Sequence, residues 1–396
     1  MEFRNEDIDL SVLKQRAFNY RWAEVPEGVL PLTAADPDFK PAPEISEALK
    51  KYIDGGYFSY TPARGFDSFK KSIARAMKER KGENIDPAEV LPVDSAARGM
   101  FITAEAILKP GDEAIVFDPV DFLFKASVDH AGATAVRYPT HVENGYIDLS
   151  DIEDYVTEHT KMICFCNPHN PLGMCYRKDQ LEHLLDVANR HGLYIMNDEI
   201  WSDIVYADAQ YISLLNLGNE KNTRTVTVYG FSKSFGIAGL RVGCIYTVNN
   251  PELFAKLVDA STVDTTAGGV SSLSQVAGQA CLDSCFYWTD SFVKYLQQNR
   301  DTIVDYVNST GVLSARKPEA TYVVFVNIEK TGLTSQQFVD FMRDHARLAL
   351  VAGGEKFFGP RSNGYIRICY ATSHEMVAEG LKRLDSGLKE LMRDRK

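Results

Sequence analysis

From about residue 89 onward, short apolar runs alternate with amphipathic stretches at intervals of roughly 20 to 40 residues, and this alternation constrains the fold most. The runs occupy 90–93, 114–117, 135–138, 162–166, 194–196, 225–229 and 242–246. Each is apolar on both faces, as expected of a strand buried on both sides of a mostly parallel sheet. Between two of them, 179–190 places Leu181, Leu184, Leu185 and Ala188 on one stripe, the pattern of an amphipathic helix. The alternation predicts an α/β domain around a mostly parallel sheet of seven strands. The tail differs. Residues 279–308 read as one long helix, 322–326 and 365–369 as strands, and 373–395 as a polar final helix, together a smaller α+β domain. The expected division is an N-terminal arm, 1–45, joining the small domain; a large domain, 46–285; and a small C-terminal domain, 286–396.

Charge and composition narrow the function. The 396 residues carry 43 Lys and Arg against 54 Asp and Glu, a net charge of −11. Nucleic-acid binders need a basic face to replace counterions on phosphates, so a nucleic-acid partner is not expected. Docking on an anionic membrane is disfavoured for the same reason. No apolar run approaches the roughly 18 residues that span a bilayer, and the first residues lack the apolar core of a secretory signal. The seven cysteines are odd in number and irregularly spaced, which reads as buried thiols in a cytoplasmic protein. Cys281 and Cys285 could lie one helical turn apart, but no CxxC or nearby histidine supports a metal or redox role. No metal is expected.

In open α/β sheets, function gathers at the carboxyl ends of the strands. Those ends carry a distinctive set of groups here. After 162–166 comes Asn167-Pro168-His169-Asn170-Pro171-Leu172-Gly173, and after 194–196 comes Asn197-Asp198-Glu199. After 225–229 come Ser232-Lys233-Ser234 within a glycine-rich stretch and then Gly239-Leu240-Arg241-Val242-Gly243. Taken singly, each residue has a plain alternative: a helix cap for Asp198, an ion-pair partner for Arg241, a turn for Asn170.

Together these motifs resemble the fold-type I pyridoxal-phosphate enzymes of the class I/II aminotransferase superfamily, over nearly the whole chain. The resemblance implies pyridoxal 5'-phosphate as cofactor. Lys233 would carry its aldehyde as a Schiff base and abstract the α-proton of an amino-acid substrate. Asp198 would face the pyridine nitrogen and Asn170 the phenolate oxygen. Ser232 and Arg241 would hold the phosphate, with Ser95, Ala96 and Ala97 at a helix N-terminus. Tyr60 would reach the phosphate of a second subunit, which implies a homodimer with a shared active site. Arg367 would bind the substrate carboxylate, and Ala35 would lie over the substrate.

Three departures from the family pattern stand out: Leu172 replaces a frequent threonine, Trp201 replaces a frequent tyrosine, and Asp121 holds the place of the ring-stacking aromatic. Phe122 is the expected stacking residue instead. The expected reaction is transamination between an α-amino acid and a keto acid. The alternative is a cystathionine β-lyase-like C–S lyase, which the segment 198–206 also resembles. A transcription regulator on the same fold would need an N-terminal DNA-binding domain of roughly 60 to 70 residues, and the resemblance begins too early to leave room for one.

Overall fold

The computed structural model describes residues 1–16, 19–265 and 267–393. Its centre is a seven-stranded sheet in the order Val90–Val93, Gly243–Tyr246, Thr225–Gly230, Tyr194–Asp198, Thr160–Cys166, Glu113–Asp118, Thr134–Pro139. All seven expected runs are strands of this sheet. Only Gly243–Tyr246 runs against its neighbours; the other pairings are parallel. The interior strands are buried along nearly their whole length. Their Val, Ile, Met, Cys and Phe side chains pack on both faces, which is why they read as unbroken apolar runs rather than as alternation. The stripe at 179–190 is the helix Lys178–His191. Leu181, Leu184, Leu185 and Ala188 are buried, and the helix stops at Gly192, whose φ of 64° favours glycine.

The C-terminal part holds a second, antiparallel sheet in the order Ser314–Ala315, Val323–Asn327, Tyr365–Cys369, Val351–Ala352. It is backed by the helices Ser335–Ala346 and His374–Arg393; the last residues of the expected final helix, 394 and 395, lie outside the described residues. The N-terminal arm is stitched to this part. Leu30–Pro31 pairs in parallel with Leu348–Ala349. Asp38 N–H donates to Ala371 O at 3.0 Å, and buried Arg21 forms an ion pair with Asp38.

One expectation is corrected. Residues 279–308 are not a single helix but the ends of two, Ser272–Ser284 and Phe286–Ser309, with Cys285 between them at φ −111°, ψ 5°. The sequence contains no breaker there. The first helix lies along the helices Pro43–Asp54 and Asp67–Lys81. The second turns to bury Trp288 and Phe292 against Phe3 and Phe39 from the arm. Trp288 Nε1 donates to Lys40 O at 3.0 Å. Tertiary packing sets the bend.

The apolar interior forms two clusters, one of which takes in consecutive residues of the strands Glu113–Asp118 and Thr160–Cys166 and so covers both faces of the large sheet. The other runs without interruption from Trp201, Tyr229 and Phe231 into Tyr322, Ile366 and Tyr370 around the second sheet. The two parts therefore meet through a shared core, and the strand ends open at their junction.

Candidate active site

Six strands run in one direction, so their carboxyl ends share one edge of the sheet, and the antiparallel strand Gly243–Tyr246 begins there. Each expected group is delivered to that edge by the turn leaving or entering a strand. Val93 leads to Ser95, which caps the helix Ala96–Ile107 by accepting from Arg98 N–H at 3.1 Å. Cys166 leads to Asn170, Asp198 ends its own strand, Gly230 leads to Ser232 and Lys233 in the short helix Phe231–Phe235, and Arg241 precedes Gly243. Arg367 enters from the small sheet and Ala35 from the arm.

These residues line one cavity of about 330 Å³: Ala35, Ser95, Ala96, Ala97, Asn170, Asp198, Trp201, Ser232, Lys233, Arg241 and Arg367. A wider groove of about 940 Å³ lies elsewhere, between Arg80, Tyr211 and Asp305. It gathers none of these groups, so chemistry rather than size selects the site.

Lys233 Nζ donates to Ala35 O at 2.6 Å and stands 5.6 Å from the Trp201 ring. Burial lowers its pKa from the ordinary lysine value, and the Arg367 charge adds to this against Asp36 and Asp121. A buried amine held partly toward its neutral form is the form a nucleophile or base requires. Asp198 is 7 % exposed, and burial pushes its carboxyl up to about 7. It accepts Ile200 N–H at 3.0 Å and has no cation within ion-pair distance among the described residues. Arg367 is buried with its Nε unpaired. Its Nη1 donates to Asn170 Oδ1 at 3.3 Å, and its guanidinium lies 5.0 Å from the Phe358 ring. Arg241 is exposed at the rim and has no carboxylate partner among the described residues.

One expected residue lies elsewhere, and a second, Tyr60, is expected to serve the site of another subunit. Phe122 is not beside the cavity: it is the first residue of the helix Phe122–His130 and is 48 % exposed. Asp121 caps that helix, so Asp121, Leu123 and Phe124 line the cavity instead. The capping pattern of Asp121 was the signal that could have separated Phe122 from Phe124. Tyr60 is 93 % exposed, on a loop outside the cavity. The sequence reading also missed Tyr322. Its hydroxyl donates to Ala35 O at 3.2 Å, and its ring meets Trp201 edge-on at 4.7 Å. Among the described residues no cluster of His, Cys, Asp or Glu is placed to hold a metal.

The chain matches the model of the family "Aminotransferase class I and II" over residues 27–384. It is 30% identical to an aspartate aminotransferase of Pyrococcus abyssi, over 91% of this chain and 92% of that one. Among solved structures, the aromatic aminotransferase from Pyrococcus horikoshii OT3 superposes with a TM-score of 0.86 at 29% identity, covering 92% of this chain and 97% of that one. Cystalysin from Treponema denticola, which contains a pyridoxal 5'-phosphate cofactor, superposes at 0.88 with 26% identity, covering 99% and 98%.

The residues present fit that cofactor. A buried carboxylate without a cation suits a protonated ring nitrogen, and a buried amine suits an aldehyde. A free guanidinium beside a capped helix N-terminus suits a phosphate. Gly243 leaves room for that helix start: a Cβ there would meet Ala96 N and the Ser95 carbonyl carbon at 2.9 Å. The chain belongs to the class I and II aminotransferases, and it is a pyridoxal 5'-phosphate-dependent aminotransferase.

Proposed function

We propose that the enzyme transfers the amino group of an α-amino acid to a keto acid, with Lys233 as the proton-moving base. The observation that carries this reading is the convergence of Lys233, Asp198 and Arg367, from three separate elements, on one cavity. When bound, pyridoxal phosphate supplies an aldehyde that captures the amino group and a ring that draws electrons from Cα. The chain's own residues do the rest. Asp198 keeps the ring nitrogen protonated by supplying the charge that its buried carboxyl otherwise avoids. Arg241 and the backbone N–H groups at Ala96 and Ala97 hold the phosphate, with Ser232 beside them, and Asn170 donates to the phenolate oxygen. Arg367 binds the substrate carboxylate as a planar fork. That places Cα near Lys233 Nζ, which takes its proton. Trp201 walls the site against water, with Tyr322 packed behind it.

The working unit we propose is a homodimer in the cytoplasm. Tyr57, Phe58 and Tyr60 are 83 %, 61 % and 93 % exposed, a large aromatic patch for a lone chain. A second subunit would cover it and bring Tyr60 to the neighbouring phosphate. Seven buried, unpaired cysteines suit a reducing compartment.

Transamination and C–S bond cleavage share the first proton transfer and diverge afterwards. The test is incubation with aspartate or cystathionine, with and without a keto acid. Transamination gives a new amino acid only when the keto acid is present. Pyruvate and free thiol released from cystathionine without an acceptor would instead establish the lyase.

A further inference from the structure

Five charged side chains line the cavity: Lys233, Arg241, Arg367, Asp198 and Asp121. Four have a counterpart in the proposed chemistry: Lys233 the aldehyde, Arg241 the phosphate, Asp198 the ring nitrogen, Arg367 the substrate carboxylate. Asp121 has none. It forms no ion pair among the described residues. Its Oδ1 accepts Leu123 N–H at 3.2 Å, and its Oδ2 accepts Asn170 Nδ2 at 3.1 Å. Asn170 in turn accepts from Arg367 Nη1 at 3.3 Å. The carboxylate is therefore one amide away from the guanidinium, within the span of a long amino-acid side chain. Its charge acts across the cavity: it opposes ionisation of Asp198 and favours the charged forms of Lys233 and Arg367.

A substrate anchored at Arg367 neutralises that cation and leaves Asp121 as a fixed negative charge facing the bound molecule. Asp121 itself is half-buried, so a second carboxylate near it meets like charge under weaker screening than in open water, whereas a cation or hydrogen-bond donor is drawn in. We propose that Asp121 selects the substrate side chain by charge, disfavouring amino acids with a side-chain carboxylate and favouring those that end in a cationic or hydrogen-bond-donating group. This rests on the reading that Arg367 binds the substrate carboxylate. A purely structural Asp121 would serve only as the cap of Phe122–His130. Asparagine caps a helix about as well, so Asp121→Asn removes the charge and keeps the cap.

The test is calorimetric binding to the cofactor-loaded enzyme of two unreactive probes with the same three-carbon spacer, glutarate and 4-guanidinobutyrate. The wild type should prefer 4-guanidinobutyrate. Asp121→Asn, and Asp121→Ser as a second variant, should shift the ratio of the two affinities toward glutarate by roughly tenfold. The kcat/KM ratio of glutamate to arginine as amino donors should move the same way. A wild type that favours glutarate, or a ratio that moves less than about twofold in both variants, overturns the role of Asp121. Arg367→Lys separates the two readings, because it should weaken both probes together. If it weakens neither, the carboxylate anchor itself is wrong and the selection falls with it.

Discussion

Asp198 offers a prediction that can be read without any turnover. Its carboxyl stands at about 7 in the folded chain against an ordinary 3.8, because burial penalises the charged form. Between those values the folded chain holds a proton that the unfolded chain has released. Stability of the cofactor-free protein therefore carries this contribution in full below 3.8 and loses it as pH rises through about 7. The whole interval corresponds to about 4 kcal/mol, and the part between pH 5 and pH 8 to about 2–3 kcal/mol. Asp198→Asn keeps an oxygen for Ile200 N–H, now accepted at 3.0 Å, and removes the titration. Urea unfolding of both cofactor-free proteins at the two pH values isolates the effect, since every other group titrates in both. The expected result is that the variant gains on the wild type by about 2–3 kcal/mol on going to the higher pH. Saturating cofactor should reverse the order, because the ring nitrogen then supplies the missing positive charge and only the wild type can use it. A difference between the two proteins that does not change with pH would refute the argument.

Other perturbations test the frame of the site. Gly243→Ala places a Cβ 2.9 Å from Ala96 N; it should weaken cofactor affinity on titration and cost about 1–3 kcal/mol in unfolding. Lys81 is buried with Nζ at 2.8 Å from Glu199 Oε2, so Lys81→Met should destabilise by about 3–5 kcal/mol through the stranded carboxylate, and a loss under about 1 kcal/mol would contradict this. Mixing inactive Lys233→Ala with impaired Tyr60→Phe should restore activity, since one site of the hybrid regains both native side chains; no recovery in a verified hybrid means that Tyr60 does not act across subunits.

The interior strands were legible because burial on both faces leaves an apolar run, and Lys178–His191 because one buried face leaves a stripe. Lys233, Asp198, Asn170 and Arg241 stood out because each lies at a strand end within a motif that resembles the family's; taken singly each had a plain alternative. The break at Cys285 was not legible, since its backbone angles answer to Trp288 and Phe292 packing on Phe3 and Phe39, far away in the chain. Phe122 misled for a related reason: where the helix starts decides which of two nearby phenylalanines turns inward, and the start depends on a cap only one residue long.

By itself, then, the sequence determined the class of sheet, the edge at which chemistry gathers and the family to which the chain belongs, because strand periodicity and strand-end motifs are local properties. The tertiary structure decided what those groups experience. Only the packing of the arm and the two sheets removes water from Asp198 and Lys233 and so moves their protonation toward each other. Only that packing brings Arg367 to Asn170 across 197 residues of chain, and sets Asp121 beside them, hydrogen-bonded to Asn170 but in no ion pair among the described residues.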